Sequence, residues 1–216
     1  MPNTIVAAGF HEKNLAFTTD GKAETTFADF AVPGIGKAGR AALQAKGISN
    51  AAQVVGWFLR VNGDRERFGE LLIENGCDAG WVNRAGVGTV AAVAEKCSSY
   101  VLEEPDGPVA ATGQPGMTQV SQRFERKQLS FADTFDSNPV PGLGRVGRAC
   151  LLSSAFRITN AVQLVGHFMV LNGDEQMFLT FLTADLLTGE GCGIQARHAR
   201  TVLEAVQDKV APFCSA

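Results

Sequence analysis

Two short segments of this chain combine the residue types that can hold a phosphate: Pro33-Gly34-Ile35-Gly36-Lys37-Ala38-Gly39-Arg40 and Pro141-Gly142-Leu143-Gly144-Arg145-Val146-Gly147-Arg148. A Pro-Gly-x-Gly turn can reverse the chain and launch a helix whose first amides have no intrahelical acceptor. Those donors sit at the positive end of the helix dipole, so together they form an anion site. Gly34 and Gly36, like Gly142 and Gly144, permit unusual backbone angles and let a phosphodiester come close to the main chain. Ile35 and Leu143 would point inward and lock each turn to the core. Lys37 and Arg40, with Arg145 and Arg148, fall in the first helical turn, where they can pair with phosphate oxygens. One such segment alone could be no more than a tight connection between helices. Two that both keep the turn and both cations favour phosphate binding.

Other chemistries fit less well. Gly34-x-Gly36-x-x-Gly39 also satisfies the dinucleotide fingerprint, but that motif needs a preceding buried strand and an acidic residue about 20 positions on. Here Thr25 to Val32 is no convincing strand, and the next acid after Asp29 is Asp64. No P-loop is present, because Gly39 is not followed by Lys and Ser or Thr. The three histidines, His11, His167 and His198, are scattered and accompany no nucleophile or ligand spacing. The five cysteines, Cys77, Cys97, Cys150, Cys192 and Cys214, form no C-x-x-C pair and read as reduced core thiols. No enzyme, metal or cofactor is expected.

The elements that must position the two corners are written twice. Val32 to Arg40 matches Val140 to Arg148 at six of nine positions, and Asn50 to Asp64 matches Asn160 to Asp174 at nine of fifteen. Chance would give roughly two identities over both stretches, so the chain contains a duplication. The offset grows from 108 to 110 between the blocks, which puts a two-residue insertion near Ser153-Ser154. Phe27-Ala28-Asp29 and Phe131-Ala132-Asp133 read as the openings of the two copies. The expected organisation is an extension over 1–26, a first module over 27–101, a linker with a lead-in helix over 102–130, and a second module over 131–216. Leu102 to Gln122 is rich in Pro, Gly and Ala and reads as a linker, reaching roughly 25 Å as a flexible coil.

Each copy reads as helices. Ala51, Val54, Val55, Phe58 and Leu59 have helical spacing, Asn62-Gly63 stops that helix, and Asp64 caps the next, which buries Phe68, Leu71 and Leu72. A last helix is expected from about Trp81 through Val87, Val90 and Val93 to Tyr100. No window alternates with the period of a strand. The expected fold is all-α, two tandem five-helix modules, each containing a helix-hairpin-helix motif. With 45% hydrophobic and 19% charged residues and a net charge of -3, the chain is neither disordered nor coated in basic residues, so a polyanion must be met by a local site. From Phe27 to Val101 there are eight basic and seven acidic residues, and from Phe131 onward six and eight, so the first copy is the better candidate for DNA. Neither a signal peptide nor a membrane span is expected, and the expected location is nuclear or cytoplasmic, with no organelle excluded.

The run Pro33 to Leu43, followed by Gly47-Ile48, Ala51, Val54 to Leu59 and Phe68, resembles barrier-to-autointegration factor, and the whole chain looks like a tandem member of that family. The resemblance implies a small helical binder of double-stranded DNA without sequence preference, acting as a dimer that bridges duplexes. It also implies phosphate contacts from the motif glycines and following amides, which here are Gly34, Gly36 and Ala38, and Gly142, Gly144 and Val146. Family dimers form a groove for LEM domains. The second copy keeps Val170 and Met177 there, whereas the first has Arg60 and Arg67 at the aligned places, so a LEM-type partner does not follow. A basic residue on the first helix has only guesses for counterparts: Lys22, and Arg126 or Lys127. Partners expected are duplex DNA and the protein itself, through pairing of the modules within or between chains. The rival is a structural or adaptor subunit of a larger assembly that has lost DNA binding, suggested by the acidic charge and by Arg157 standing near the place of the helix-ending Gly47.

Overall fold

The computed structural model describes residues 9–17, 26–27, 31–104, 116–184 and 192–214, and these are mostly helical. After a helical turn at 9–12 come α1 (Lys37–Gln44), α2 (Ala51–Arg60), α3 (Arg65–Glu74), α4 (Ala79–Val82) and α5 (Thr89–Ser98). Then follow β1 (Val101–Leu102), α6 (Gln119–Arg126), β2 (Leu129–Ser130), α7 (Arg145–Ser153), α8 (Ala161–Val170), α9 (Glu175–Thr183) and α10 (Ala196–Val210).

The local signals work as capping chemistry requires. Asn50 and Asn160 accept from the amides of Gln53 and Gln163, each at 2.9 Å, and Asp64 and Asp174 accept from Arg67 at 3.0 Å and Met177 at 2.8 Å. Asn62 and Asn172 both hold φ at 58°, followed by glycines at 75° and 70°, so the breaker turns between α2 and α3 and between α8 and α9 match. The two-residue insertion lies between Leu151 and Ile158, whose backbone bond repeats that of Leu43 and Ile48. There Arg157 takes the positive φ that Gly47 takes in the first half, 47° against 80°.

The core runs through the crossing of α2 and α8. A Cβ on Gly56 would lie 2.9 Å from the Gly166 carbonyl oxygen, and one on Gly166 would lie 2.7 Å from that of Gly56, so the two backbones touch. The surrounding bonds are reciprocal. Asn50 Nδ2 donates to Asn172 Oδ1 at 2.6 Å and Asn160 Nδ2 to Asn62 Oδ1 at 2.7 Å, while Gln53 Nε2 donates to the Val170 carbonyl and Gln163 Nε2 to that of Arg60.

Several expectations need correction. The helix expected from Trp81 to Tyr100 is broken: Asn83 ends α4, Gly86 takes φ of 72°, and Gly88 opens α5. Five helices follow Phe27 in the first half, but four follow Phe131 among the described residues, since one long α10 replaces α4 and α5 and residues 185–191 lie outside the described part. A small parallel strand pair joins Val101 to Leu129 and Leu102 to Ser130, where the sequence pattern predicts no strand. The lead-in helix expected within 102–130 is α6, capped by Thr118, and it opens at Gln119, inside the stretch to Gln122 that reads as a linker.

The tripeptide alignment also fails. Phe27 matches Phe135, because their amides donate to Ser49 and Thr159 at the same place in each half. Phe131 instead matches Phe17: the Phe131 ring covers Gly63 and meets Phe58 edge-on, as the Phe17 ring covers Gly173 and meets Phe168. A motif F-x-x-K-x-L-x-F therefore recurs at Phe10 to Phe17 and Phe124 to Phe131. Lys96 Nζ donates to the carbonyls of Phe10 and Lys13 (2.9 and 2.7 Å), and Lys209 Nζ to those of Glu125 and Lys127 (2.8 and 2.7 Å).

Candidate nucleic-acid interface

Both corners are built alike. Pro33-Gly34 and Pro141-Gly142 form reverse turns closed by Ile35 N–H to Val32 O at 3.2 Å and Leu143 N–H to Val140 O at 3.1 Å. Gly34 and Gly142 hold φ at 79°. A Cβ on Gly34 would strike Thr89 Oγ1 and the Trp81 carbonyl, and one on Gly142 the His198 carbonyl and Thr201, so glycine is required twice over. Ile35 and Leu143 are buried at 3% exposure each and pin the turns to the core.

Gly36 and Gly144 are the N-caps of α1 and α7. Both have extended backbones, supply no capping side chain, and would place a Cβ in open space. The first backbone bonds come from Arg40 N–H to Gly36 O and Arg148 N–H to Gly144 O, each 3.0 Å. Ala38 and Val146 are exposed, as are Lys37 and Arg145, and neither of those two cations has an ion-pair partner among the described residues. Among the described residues no side chain caps the amides that open each helix, and an exposed cation stands beside them.

Arg40 and Arg148 also hold the turns themselves in place. Each folds back and donates Nε to the carbonyl of the turn, Ile35 at 3.1 Å and Leu143 at 3.2 Å, so each braces its corner while keeping terminal nitrogens outward. In the second half one of these is taken by Asp136 at 2.9 Å, which makes that corner less cationic. The segment leading into it is a single turn closed by Asn138 N–H to Thr134 O, not a helix, and is held by the buried Lys127 to Asp133 pair at 2.7 Å. Lys127 therefore cannot reach a phosphate. Arg126 is exposed, and Lys22 and residues 28–30 lie outside the described part.

Residues that sequence reasoning misses surround the corners. Trp81, 41% exposed, and Arg84, whose guanidinium lies 4.7 Å from the indole, stand beside the first. At the second, the corresponding carbonyl belongs to His198, flanked by exposed Arg197 and Arg200 in the first turn of α10. The signal for them is the glycine clash itself, which places Trp81 and His198 under equivalent turns. At the groove positions, Met177 is 54% exposed, Arg67 is paired with Glu70 and Glu74, and Arg60 lies over Phe156 at 4.6 Å.

No group of three or more His, Cys, Asp or Glu among the described residues could hold a metal ion, and no helix among them is long and apolar enough to cross a membrane. None of the five cysteines is in a disulfide, and burial pushes the thiols of Cys77 up to about 11 and Cys214 up to about 12, so neither is a thiolate nucleophile at neutral pH. Comparison with protein-family models, curated proteins and solved structures gives no match.

Proposed function

We propose that this chain binds double-stranded DNA through its phosphates, using two glycine corners of helix-hairpin-helix type carried on two tandem modules that pair within the chain. The observation that carries the reading is the open, uncapped start of α1 and of α7, each beside an exposed cation. Backbone amides and a few cations read phosphates rather than base edges, so sequence preference is small. Two corners on one molecule can bridge two DNA segments. The resemblance to barrier-to-autointegration factor in the same residues supports this, and the function is binding without catalysis.

The test is a titration of duplex DNA at several salt concentrations, comparing wild type with the double variant Lys37→Glu, Arg145→Glu. The expected result is at least tenfold weaker binding and a salt slope shallower by about 0.9 for each phosphate that the variant no longer neutralises. Unchanged affinity overturns the proposal. The adaptor reading is favoured by one observation, the exposed apolar side chains Val146, Leu152, Phe156 and Met177, all in the second half. A protein that shifts no DNA at low salt but co-purifies stably with a protein partner would establish it instead.

A further inference from the structure

Beside the first corner a hollow of about 250 Å³ opens between Gly34, Gly36 and Arg40 on one side and Trp81 on the other, floored by Val32 and Ile35. The backbone of Trp81 is fixed, since its amide donates to Asp78 at 3.1 Å and its carbonyl packs under Gly34. Its indole nevertheless stays in water at 41% exposure, with the Arg84 guanidinium against the ring. A large aromatic ring held out beside a cationic, amide-lined corner resembles the platforms on which unpaired bases stack. The hollow is smaller than the roughly 300 to 1,000 Å³ of a typical ligand pocket, so it suits one flat ring system rather than a base pair.

We infer that Trp81 receives one unpaired nucleobase next to the duplex, while the adjoining phosphate rests on the amides of α1 with Lys37 and Arg84 around it. This rests on the phosphate-binding reading of the same corner. It makes the first corner a reader of strand ends, gaps or flaps, because in an intact duplex each base is stacked inside and has no free face. The second corner carries His198 at the matching place and holds no indole, so the molecule is expected to have one such platform.

The experiment compares the affinity of the full chain for a blunt duplex and for the same duplex with a short single-stranded extension. Wild type should bind the extended DNA at least about fivefold more tightly, the low end of the range expected for stacking one base. Trp81→Ala should lose that difference, and Trp81→Phe should retain most of it. Thermal melting of both variants checks that the exposed position leaves the fold intact. Equal binding of the two DNAs by wild type, or a preference that survives in Trp81→Ala, overturns the inference alone. Failure to bind either DNA overturns the underlying phosphate reading as well.

Discussion

His167 stands where the first half has Trp57, and it is 3% exposed, stacked at 4.2 Å on Phe181 and at 4.7 Å on Phe156. Its Nδ1 has no hydrogen-bond partner among the described residues. Burial first, and the nearby Arg60 charge second, lower its pKa from the ordinary 6.5 to about 3. The unfolded chain therefore takes up a proton below pH 6.5 that the folded chain refuses until about pH 3. Stability is complete above pH 6.5 and falls as the pH drops toward 3, with a slope from this one group approaching about 1.4 kcal/mol per unit. By pH 5 the loss is about 2 kcal/mol. His167→Phe keeps the ring and removes the proton site, so its melting temperature should change less between pH 7 and pH 5 than that of wild type. An acid dependence identical in the two proteins would mean that the imidazole is not the group responsible. The residue is thus a packing element that carries a pH cost.

At the scale of the element, the helices divide by how they begin. Side chains of Asn50, Asp64, Asp78, Thr118, Asn160 and Asp174 cap six of them, whereas the two helices at the corners and α5, which opens at Gly88, start from bare glycine, and α10 opens at Gln195 with no side-chain cap. A serine would fit at Gly36 and Gly144, since φ is -76° and -73° and a Cβ meets nothing within 4 Å. Its hydroxyl would satisfy one of the open amides. Gly36→Ser combined with Gly144→Ser should therefore raise stability by about 0.5 kcal/mol per site while weakening DNA binding about fivefold, the worth of roughly one hydrogen bond. Melting and DNA titration read the two effects separately. Should both rise together, the amides do not touch the phosphates.

The corner geometry is legible in the sequence because turn and cap chemistry is local: Pro-Gly sets the reversal, and the Asn-Gly-Asp breakers set the next two helix boundaries. The break at 83–88 is not, since Val87, Val90 and Val93 keep a helical period across Gly88. The repeated lead-in is hidden for another reason. Phe10 to Phe17 and Phe124 to Phe131 match at an offset of 114, whereas the corners match at 108, so one alignment register cannot show both. Trp81 escapes a sequence reading because exposure of an aromatic residue depends on the tertiary packing around it.

For the whole molecule, the reciprocal contacts across α2 and α8 are joined by an exchange of the lead-in segments. Leu15 N–H donates to the Phe213 carbonyl at 2.7 Å, and Phe17 covers Gly173, so the segment before the first corner closes the second half. Phe131 covers Gly63 and accepts at its carbonyl from Asn62 Nδ2 at 3.0 Å, so the segment before the second corner closes the first half. Neither half buries its own breaker turn. A chain ending at residue 102 would leave Gly63, Phe58 and the Gly56 face of α2 uncovered, yet would carry Phe17, whose ring makes the same contact on the other half. Two copies of that fragment can satisfy each other, with Gly56 meeting Gly56 and each Phe17 covering the Gly63 of its partner. The fragment 1–102 is therefore expected to be a homodimer by light scattering or sedimentation, while the full chain, 22.8 kDa, is expected to be a monomer. Gly56→Leu in the fragment should abolish the dimer, because a side chain there has no room against the opposing backbone. A folded, monomeric fragment would show that the exchange is incidental and that the halves do not need each other. A full chain that unfolds in two separated steps would say the same of the intact protein, since shared closure of both halves requires one cooperative transition.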